Sequence, residues 1–200
     1  MKYLKLFILL YTCIQLSYCN AKNDTAQKVV DGSTAMPVQM SSAEVTNNGP
    51  LNKSVFLKAI ASLKSGEVLD TVSLKNMLSQ SLMNLNRVSY TGKRVKQKDN
   101  MVSTSEANYK TNGKMLYVTI TDAGKDSTYL MTLAPWAAMQ FQNIRGDGYE
   151  KSIILDGSKI DEKYNSASHT ANLAVMYNSR ILVELIGTNC SVEELYSIIK

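Results

Sequence analysis

Histidine and cysteine, which supply most metal ligands and many proton-transfer groups, are scarce in this chain of 200 residues. His169 is the only histidine, and the cysteines are Cys13, Cys19 and Cys190. We expect only His169 and Cys190 in a folded domain, too few ligands for a zinc site. A Ser-His-Asp triad through His169 would lack the Gly-x-Ser-x-Gly segment that carries its serine.

Phosphate-binding loops are also missing, because neither the P-loop pattern nor Gly-x-Gly-x-x-Gly occurs. The net charge is +5, or about +3 without the two lysines at the N-terminus, which is too mild to indicate a nucleic-acid partner. We therefore expect no cofactor and no nucleic-acid binding, and the scarcity of catalytic residue types disfavours an enzyme.

The first 18 residues have the pattern of a secretory signal sequence. Lys2 and Lys5 precede a mostly apolar run over residues 6–16. A run of this length behind a positive start is typical of a signal sequence and is too short to span a membrane. The pattern predicts export to the periplasm or cell envelope.

Two cleavage sites are compatible with this signal. Leu16-Ser17-Tyr18-Cys19 resembles a bacterial lipobox, in which Cys19 becomes the lipidated first residue, although Tyr18 stands where the motif has a small residue. The alternative is ordinary cleavage after Ala21, with Cys19 and Ala21 as the small pair. Lipidation is the favoured interpretation, because a polar leader directly after Cys19 suits a membrane tether.

The lipobox-like segment and the richness in Lys, Asn, Ser and Tyr resemble exported lipoproteins of AT-rich bacteria such as the Bacteroidota. This resemblance points to no functional family. It implies an exported protein that a lipid anchors to a membrane of the cell envelope.

Three segments are predicted: a signal sequence over 1–18, a flexible polar leader over 19–52, and a single domain over 53–200. Within that domain Cys190 is the only cysteine, so no internal disulfide is expected. Ser191 and Glu194 form a capping-box pattern that places Cys190 where a hydrophobic staple packs, and this favours a structural role for the thiol.

Periodicity predicts an α+β domain with about four helices and a mostly antiparallel sheet of about seven strands. The predicted helices cover about 55–63, 73–83 with Ser73 as N-cap, 127–141 with a restart at Pro135, and 191 to the end. The predicted strands are 87–97, 101–111, 114–121, 149–155, 159–164, 169–177 and 180–187.

Two-residue turns support this sheet. Asn112-Gly113 predicts a type I′ hairpin turn, and Asp156-Gly157 predicts a second two-residue turn. A hairpin followed by a capped helix occurs twice, after Asn112 and after Asn178, which indicates a possible internal duplication.

The candidate binding residues fall into two groups. Arg94, Lys96 and Lys98 share one face of a predicted strand and could attract an acidic partner or lipid headgroups. Asp122 and Asp126 precede the middle helix, and carboxylates in loops can bind ligands or transfer protons.

Asp147 and Glu150, after the middle helix, are a further pair of loop carboxylates with the same potential. Each carboxylate also has a plain explanation as a cap or turn residue.

Three functions remain open. The leading hypothesis is a lipid-anchored, non-catalytic envelope protein that binds or assists an unknown partner or ligand. The alternatives are a carboxylate-based periplasmic hydrolase and a carrier of a hydrophobic ligand. A cluster of carboxylates in a cleft would favour the hydrolase, and an unfilled apolar cavity would favour the carrier.

Overall fold

Short polar turns fold the strands of this chain back on one another. The computed structural model describes residues 51, 53–64, 67–97, 100–125 and 127–199. Asp156 and Gly157 both have positive φ, 49° and 71°, as a type I′ turn requires. Asn112-Gly113 also closes a hairpin, but only Gly113 has a positive φ, 80°. The predicted type I′ turn is therefore wrong at Asn112-Gly113. A positive φ at the second central residue alone is the pattern of a type II turn.

The described residues form nine strands, so the α+β class with an antiparallel sheet is confirmed while the predicted count of seven is wrong. The strands are β1 (Ser81–Leu82), β2 (Leu85–Gln97), β3 (Asn100–Thr111), β4 (Lys114–Asp122), β5 (Gln142–Arg145), β6 (Gly148–Leu155), β7 (Ser158–Asn165), β8 (Thr170–Tyr177) and β9 (Ile181–Thr188). The helices are α1 (Lys53–Ala61), α2 (Thr71–Met77), α3 (Ser127–Leu133) and α4 (Val192–Tyr196), with a 3-10 turn at Pro135–Ala138.

All nine strands belong to one open sheet in the order β1-β2-β3-β4-β9-β8-β7-β6-β5, and every neighbouring pair is antiparallel. The first four strands and the last five each form a meander, and the meanders meet where β4 pairs with β9. The two unpredicted strands, β1 and β5, are the edges. β1 has two residues and β5 is exposed throughout, so neither shows the apolar alternation that identifies a strand.

The helix α2 differs from its predicted form, whereas the predicted interruption of the middle helix at Pro135 is confirmed. The N-cap of α2 is Asp70, whose carboxylate accepts a hydrogen bond from the backbone N–H of Ser73. The expected N-cap, Ser73, therefore lies within the first turn of α2, and the helix ends at Met77 and not at 83. The middle helix stops at Leu133 and restarts at Pro135 as a 3-10 turn, because proline cannot donate the backbone hydrogen bond that would continue the helix. Among the described residues, no helix is long and apolar enough to cross a bilayer.

The two faces of the sheet are covered unequally. The face that carries Val118, Val175 and Val183, called here the covered face, packs against α1, α2 and α4 and holds the main core. Leu51, the first described residue, is buried in this core. Among the described residues, α3 and the 3-10 turn pack on the opposite or open face, which carries Ala174, through a smaller apolar cluster.

The expected duplication is only partial. A helix follows each of the two hairpins, β3–β4 and β8–β9, and β4 pairs with β9 at the centre of the sheet. However, α3 packs on the open face and α4 on the covered face. A two-fold axis normal to the sheet would place both helices on one face, so the two units are not related in that way.

Candidate functional site

The predicted basic patch lies on the long hairpin of β2 and β3. Arg94 and Lys96 pair with Ser103 and Met101 of β3, lie on the same face of β2 and are exposed. Lys98 lies outside the described residues, as do Cys19 and Asp126.

Asp122 is fully buried at the end of β4 and is occupied by partners within the protein. The Arg180 side chain donates to both carboxylate oxygens, from Nε at 2.8 Å and from Nη2 at 2.9 Å. The backbone N–H groups of Leu69 and Gly124 also donate, at 2.8 Å and 2.9 Å. These bonds tie β4 to the β8–β9 turn and to the segment before α2, which accounts for the burial of the charge.

The other loop candidates lie apart from Asp122; Asp147 and His169 are exposed, and Glu150 is partly exposed. Asp147 is in the turn before β6, at the end of the strands opposite to Asp122. Glu150 lies within β6 and accepts an ion pair from Lys163 at 2.7 Å. His169 is exposed in the β7–β8 turn with a φ of 49°. The structure therefore does not bring the predicted carboxylates into one site.

A different set of polar side chains meets on the open face of β7, β8 and β9. Pairing places Asp161 opposite Ala174, and Ala174 opposite Glu184. Since neighbouring strands are about 4.8 Å apart, the backbones at Asp161 and Glu184 are about 10 Å apart, with only the methyl group of Ala174 between them. The next row along the strands contains Lys163 and Asn172.

The 3-10 turn forms a wall over these rows. The Lys159 ammonium donates to the carbonyl of Ala137, and the Ser152 hydroxyl donates to the carbonyl of Met139 at 2.8 Å. These bonds hold the turn, with the buried ring of Trp136, against the open face.

Between the turn and β7–β9 is a cavity of about 300 Å³, which we call the acidic cleft. Its lining comprises Leu133, Pro135, Trp136, Asp161, Lys163, Asn172, Leu173, Ala174, Glu184, Leu185 and Ile186. A second cavity of about 330 Å³ shares Lys163 and Asn172 with it and extends to the β5–β6 turn. Each cavity has about the volume of the smallest sites that bind small molecules, which is about 300 Å³.

Two oxygen atoms in the wall of the acidic cleft lack a donor among the described residues. Asp161 accepts an ion pair from Lys163 through Oδ2 at 3.2 Å, whereas its Oδ1 is buried without a hydrogen-bond partner. Oδ1 of Asn172 is buried and unpartnered in the same way. A buried acceptor without a donor costs about 1–3 kcal/mol, so such atoms are uncommon in folded proteins.

Glu184 is the carboxylate of the cleft that remains partly exposed. Among the described residues it accepts no hydrogen bond and forms no ion pair. Burial raises the pKa of Glu184, and the charge of Lys163 opposes this. Burial also raises the pKa of Asp161, where Lys163 lowers it and Glu150 raises it.

The acidic cleft therefore offers acceptors and an excess of negative charge. Three carboxylates, Asp161, Glu184 and Glu150, lie beside two lysines. Asp161 and Glu150 engage Lys163, and the Lys159 ammonium donates to the carbonyl of Ala137. Within the described part of the chain, no group of three or more His, Cys, Asp or Glu side chains is arranged to hold a metal ion. The arrangement suits a ligand that donates hydrogen bonds and carries positive charge.

Sequence reasoning missed this site, because its residues come from three strands that are distant in sequence. Asp161 and Glu184 lie within the strands predicted over 159–164 and 180–187, whereas the candidate carboxylates predicted from the sequence are those near loops. The one signal available was polar side chains at open-face positions of strands that are otherwise apolar.

Comparison of the chain with protein-family models, with curated proteins and with solved structures found no match.

Proposed function

We propose that this protein is an exported, lipid-anchored and non-catalytic protein of the cell envelope that binds a ligand or partner in the acidic cleft. One observation carries the proposal: Asp161 and Asn172 each bury an unpartnered oxygen in the wall of an open cavity. A ligand with hydrogen-bond donors would relieve the cost of those two acceptors. The partly exposed and unpaired Glu184 supports the same assignment.

Crosslinking inside the cell tests the location of the binding site. Ile186 lines the acidic cleft and is 42% exposed, so a photoactivatable phenylalanine fits there without replacing core packing. The matched control carries the same photoactivatable phenylalanine in place of Thr91, which is exposed on β2. We expect an adduct, detected as added mass or a shifted band, from position 186 alone. Equal adducts at both positions, or none at 186, would contradict binding in the cleft.

The lipid anchor has a separate test. Protein purified from the membrane fraction should begin at an acylated Cys19 and show the corresponding mass. Cys19→Ser should release the protein from the membrane. A soluble, unmodified chain beginning at Lys22 would reject lipidation and leave export standing.

A carboxylate-based hydrolase is the second candidate, favoured by the presence of Asp161 and Glu184 in one row. Hydrolysis needs one carboxyl protonated and the other ionised, which requires environments that push their pKa values apart. Burial raises the pKa of both groups here, so the pair has no clear division of roles. Turnover of an envelope polysaccharide that is lost in both Asp161→Asn and Glu184→Gln would favour the enzyme.

A carrier of an apolar ligand has one observation in its favour. A cavity of about 300 Å³ lies between α1, α4 and the covered face, lined by Lys53, Leu155, Asp156, Ser158, Ile160, Val175, Tyr177, Tyr196 and Ile199. Saturable binding of a fatty acid that is blocked by Val175→Trp would support this role.

A further inference from the structure

We infer that the acidic cleft binds a primary ammonium group carried on an alkyl chain. This inference rests on the proposed function and names the ligand class of the same site. Its basis is the set of unpaired groups that the cleft presents, together with the apolar wall beside them.

The first step is the direction of hydrogen bonding. The two buried unpartnered atoms at the cleft are acceptors, Oδ1 of Asp161 and Oδ1 of Asn172, and the partly exposed carboxylate of Glu184 is a third acceptor. Two lysines lie beside the cleft, and both are engaged: Lys163 by Glu150 at 2.7 Å and by Asp161 at 3.2 Å, and Lys159 by the carbonyl of Ala137. A ligand must therefore supply the donors, and an anionic ligand would meet repulsion.

The second step is the number of donors and the charge. A primary ammonium has three N–H donors and one positive charge, which matches three acceptors in a cleft with excess negative charge. Glu184 remains partly exposed and meets the ligand first. Rotation of the Asp161 and Asn172 side chains then brings their oxygens to the bound group. A quaternary ammonium has no N–H and would leave both buried oxygens unpaired.

The third step is the apolar wall. Leu133 and Pro135 lie on one side of the cleft and Ile186 on the floor, so a short alkyl chain can pack beside the carboxylates. This separates an alkylammonium from ammonia or a hydrated metal ion, which would gain nothing from that wall. A free diamine and the side chain of a lysine residue share this chemistry.

Calorimetric titration of the folded protein tests the inference. The ammonium probes are 1,4-diaminobutane and Nα-acetyl-lysine amide, and the matched neutral probes are 1-butanol and Nα-acetyl-norleucine amide. We expect saturable binding of at least one ammonium probe and none of the neutral probes. Tighter binding of the diamine indicates a free amine as the ligand, and tighter binding of the lysine amide indicates a peptide.

Two variants locate the binding. Glu184→Gln should weaken binding of the ammonium probe by about tenfold or more, since it removes the charge-assisted hydrogen bond. Glu106→Gln removes the same charge two strands away and should change the affinity by less than about twofold. Circular dichroism of both variants confirms that the sheet is intact.

Three results would overturn the inference: no saturable binding of either ammonium probe, equal binding of the neutral probes, or equal losses in the two variants. Tighter binding of a guanidinium probe would also overturn it. If adducts at position 186 persist in the cell while ammonium probes fail, the proposed function stands and only the ligand class is rejected.

Discussion

Asp161 and Glu162 are consecutive residues of β7, yet they lie on opposite faces of the sheet in opposite surroundings. On the covered face, Glu162 accepts hydrogen bonds from the hydroxyls of Tyr149 and Tyr196 and an ion pair from Lys151 at 3.0 Å. On the open face, Asp161 has one ion pair and one buried oxygen without a partner. Both residues are almost inaccessible to solvent, so their difference lies in hydrogen bonding and not in depth.

The comparison shows where the fold has satisfied its polar groups and where it has not. Burial and the contact with Glu162 raise the pKa of Tyr149 and Tyr196, so both hydroxyls keep their protons and act as donors to Glu162. Asp122, at the end of β4, is satisfied by four donors in a similar way. Four buried side-chain atoms of the described residues have no partner: Oγ of Ser103, the hydroxyl of Tyr177, and Oδ1 of Asp161 and of Asn172. The last two line the acidic cleft.

Removing a satisfied carboxylate should have the largest effect. Asp122→Ala is expected to lower the free energy of unfolding by about 3–5 kcal/mol, because Nε of Arg180 and two backbone N–H groups lose their acceptor, and Arg180 keeps only the carbonyl of Glu67. Urea denaturation monitored by circular dichroism measures the change. A loss below about 1 kcal/mol would show that these donors find water instead.

Glu162→Gln should have a smaller effect in the same direction. Tyr149 and Tyr196 donate to different oxygens of Glu162, so the amide of Gln keeps an acceptor for only one of them, and the ion pair with Lys151 is lost. We expect the free energy of unfolding to fall by about 1–3 kcal/mol. An unchanged value would mean that the covered face does not depend on this charge.

Cys190 tests ordinary packing on the covered face. Its thiol is buried beside Leu195, and the capping box of Ser191 and Glu194 is present as predicted. Cys190→Ala should lower the free energy of unfolding by about 1 kcal/mol. Burial is the main cause that raises the pKa of the Cys190 thiol, so thiol reagents should label the native protein slowly at neutral pH. Rapid labelling would contradict this.

Asp161→Asn should have the smallest effect, and of opposite sign. The neutral amide removes a buried charge, and burial is the main cause that raises the pKa of Asp161, so we expect the free energy of unfolding to rise by about 0.5–1 kcal/mol at pH 7. Because the folded pKa of Asp161 is raised, the wild type loses stability as pH increases from the usual carboxyl pKa to the raised value.

The gain from the substitution should therefore be smaller at pH 3.5 than at pH 7. Denaturation at the two pH values measures it. If Asp161→Asn instead lowered the free energy of unfolding as much as Glu162→Gln does, the expected difference between the two carboxylates would be wrong.

Local signals explain which parts of the fold could be predicted. The capping box at Ser191 and the turn at Asp156-Gly157 each depend on no more than four consecutive residues, and both are present. The strand β5 could not be found, because Gln142 to Arg145 are all exposed and show no alternation. The cleft depends on the register that aligns Asp161, Ala174 and Glu184 across three strands, and no local pattern specifies it.

The join between the two meanders has a consequence for the order of folding. Every hairpin in the sheet closes a short loop, whereas the β4–β9 pairing joins residues about 60 to 70 positions apart. Since loop closure over a longer separation loses more entropy and delays contact, this pairing forms after the hairpins. Until β9 arrives, β4 is an unprotected edge rich in apolar residues, which is the kind of surface that aggregates. During synthesis from the N-terminus, the edge at β4 therefore stays exposed until the residues up to Thr188 have left the ribosome. Slow synthesis of the C-terminal meander would favour aggregation over folding.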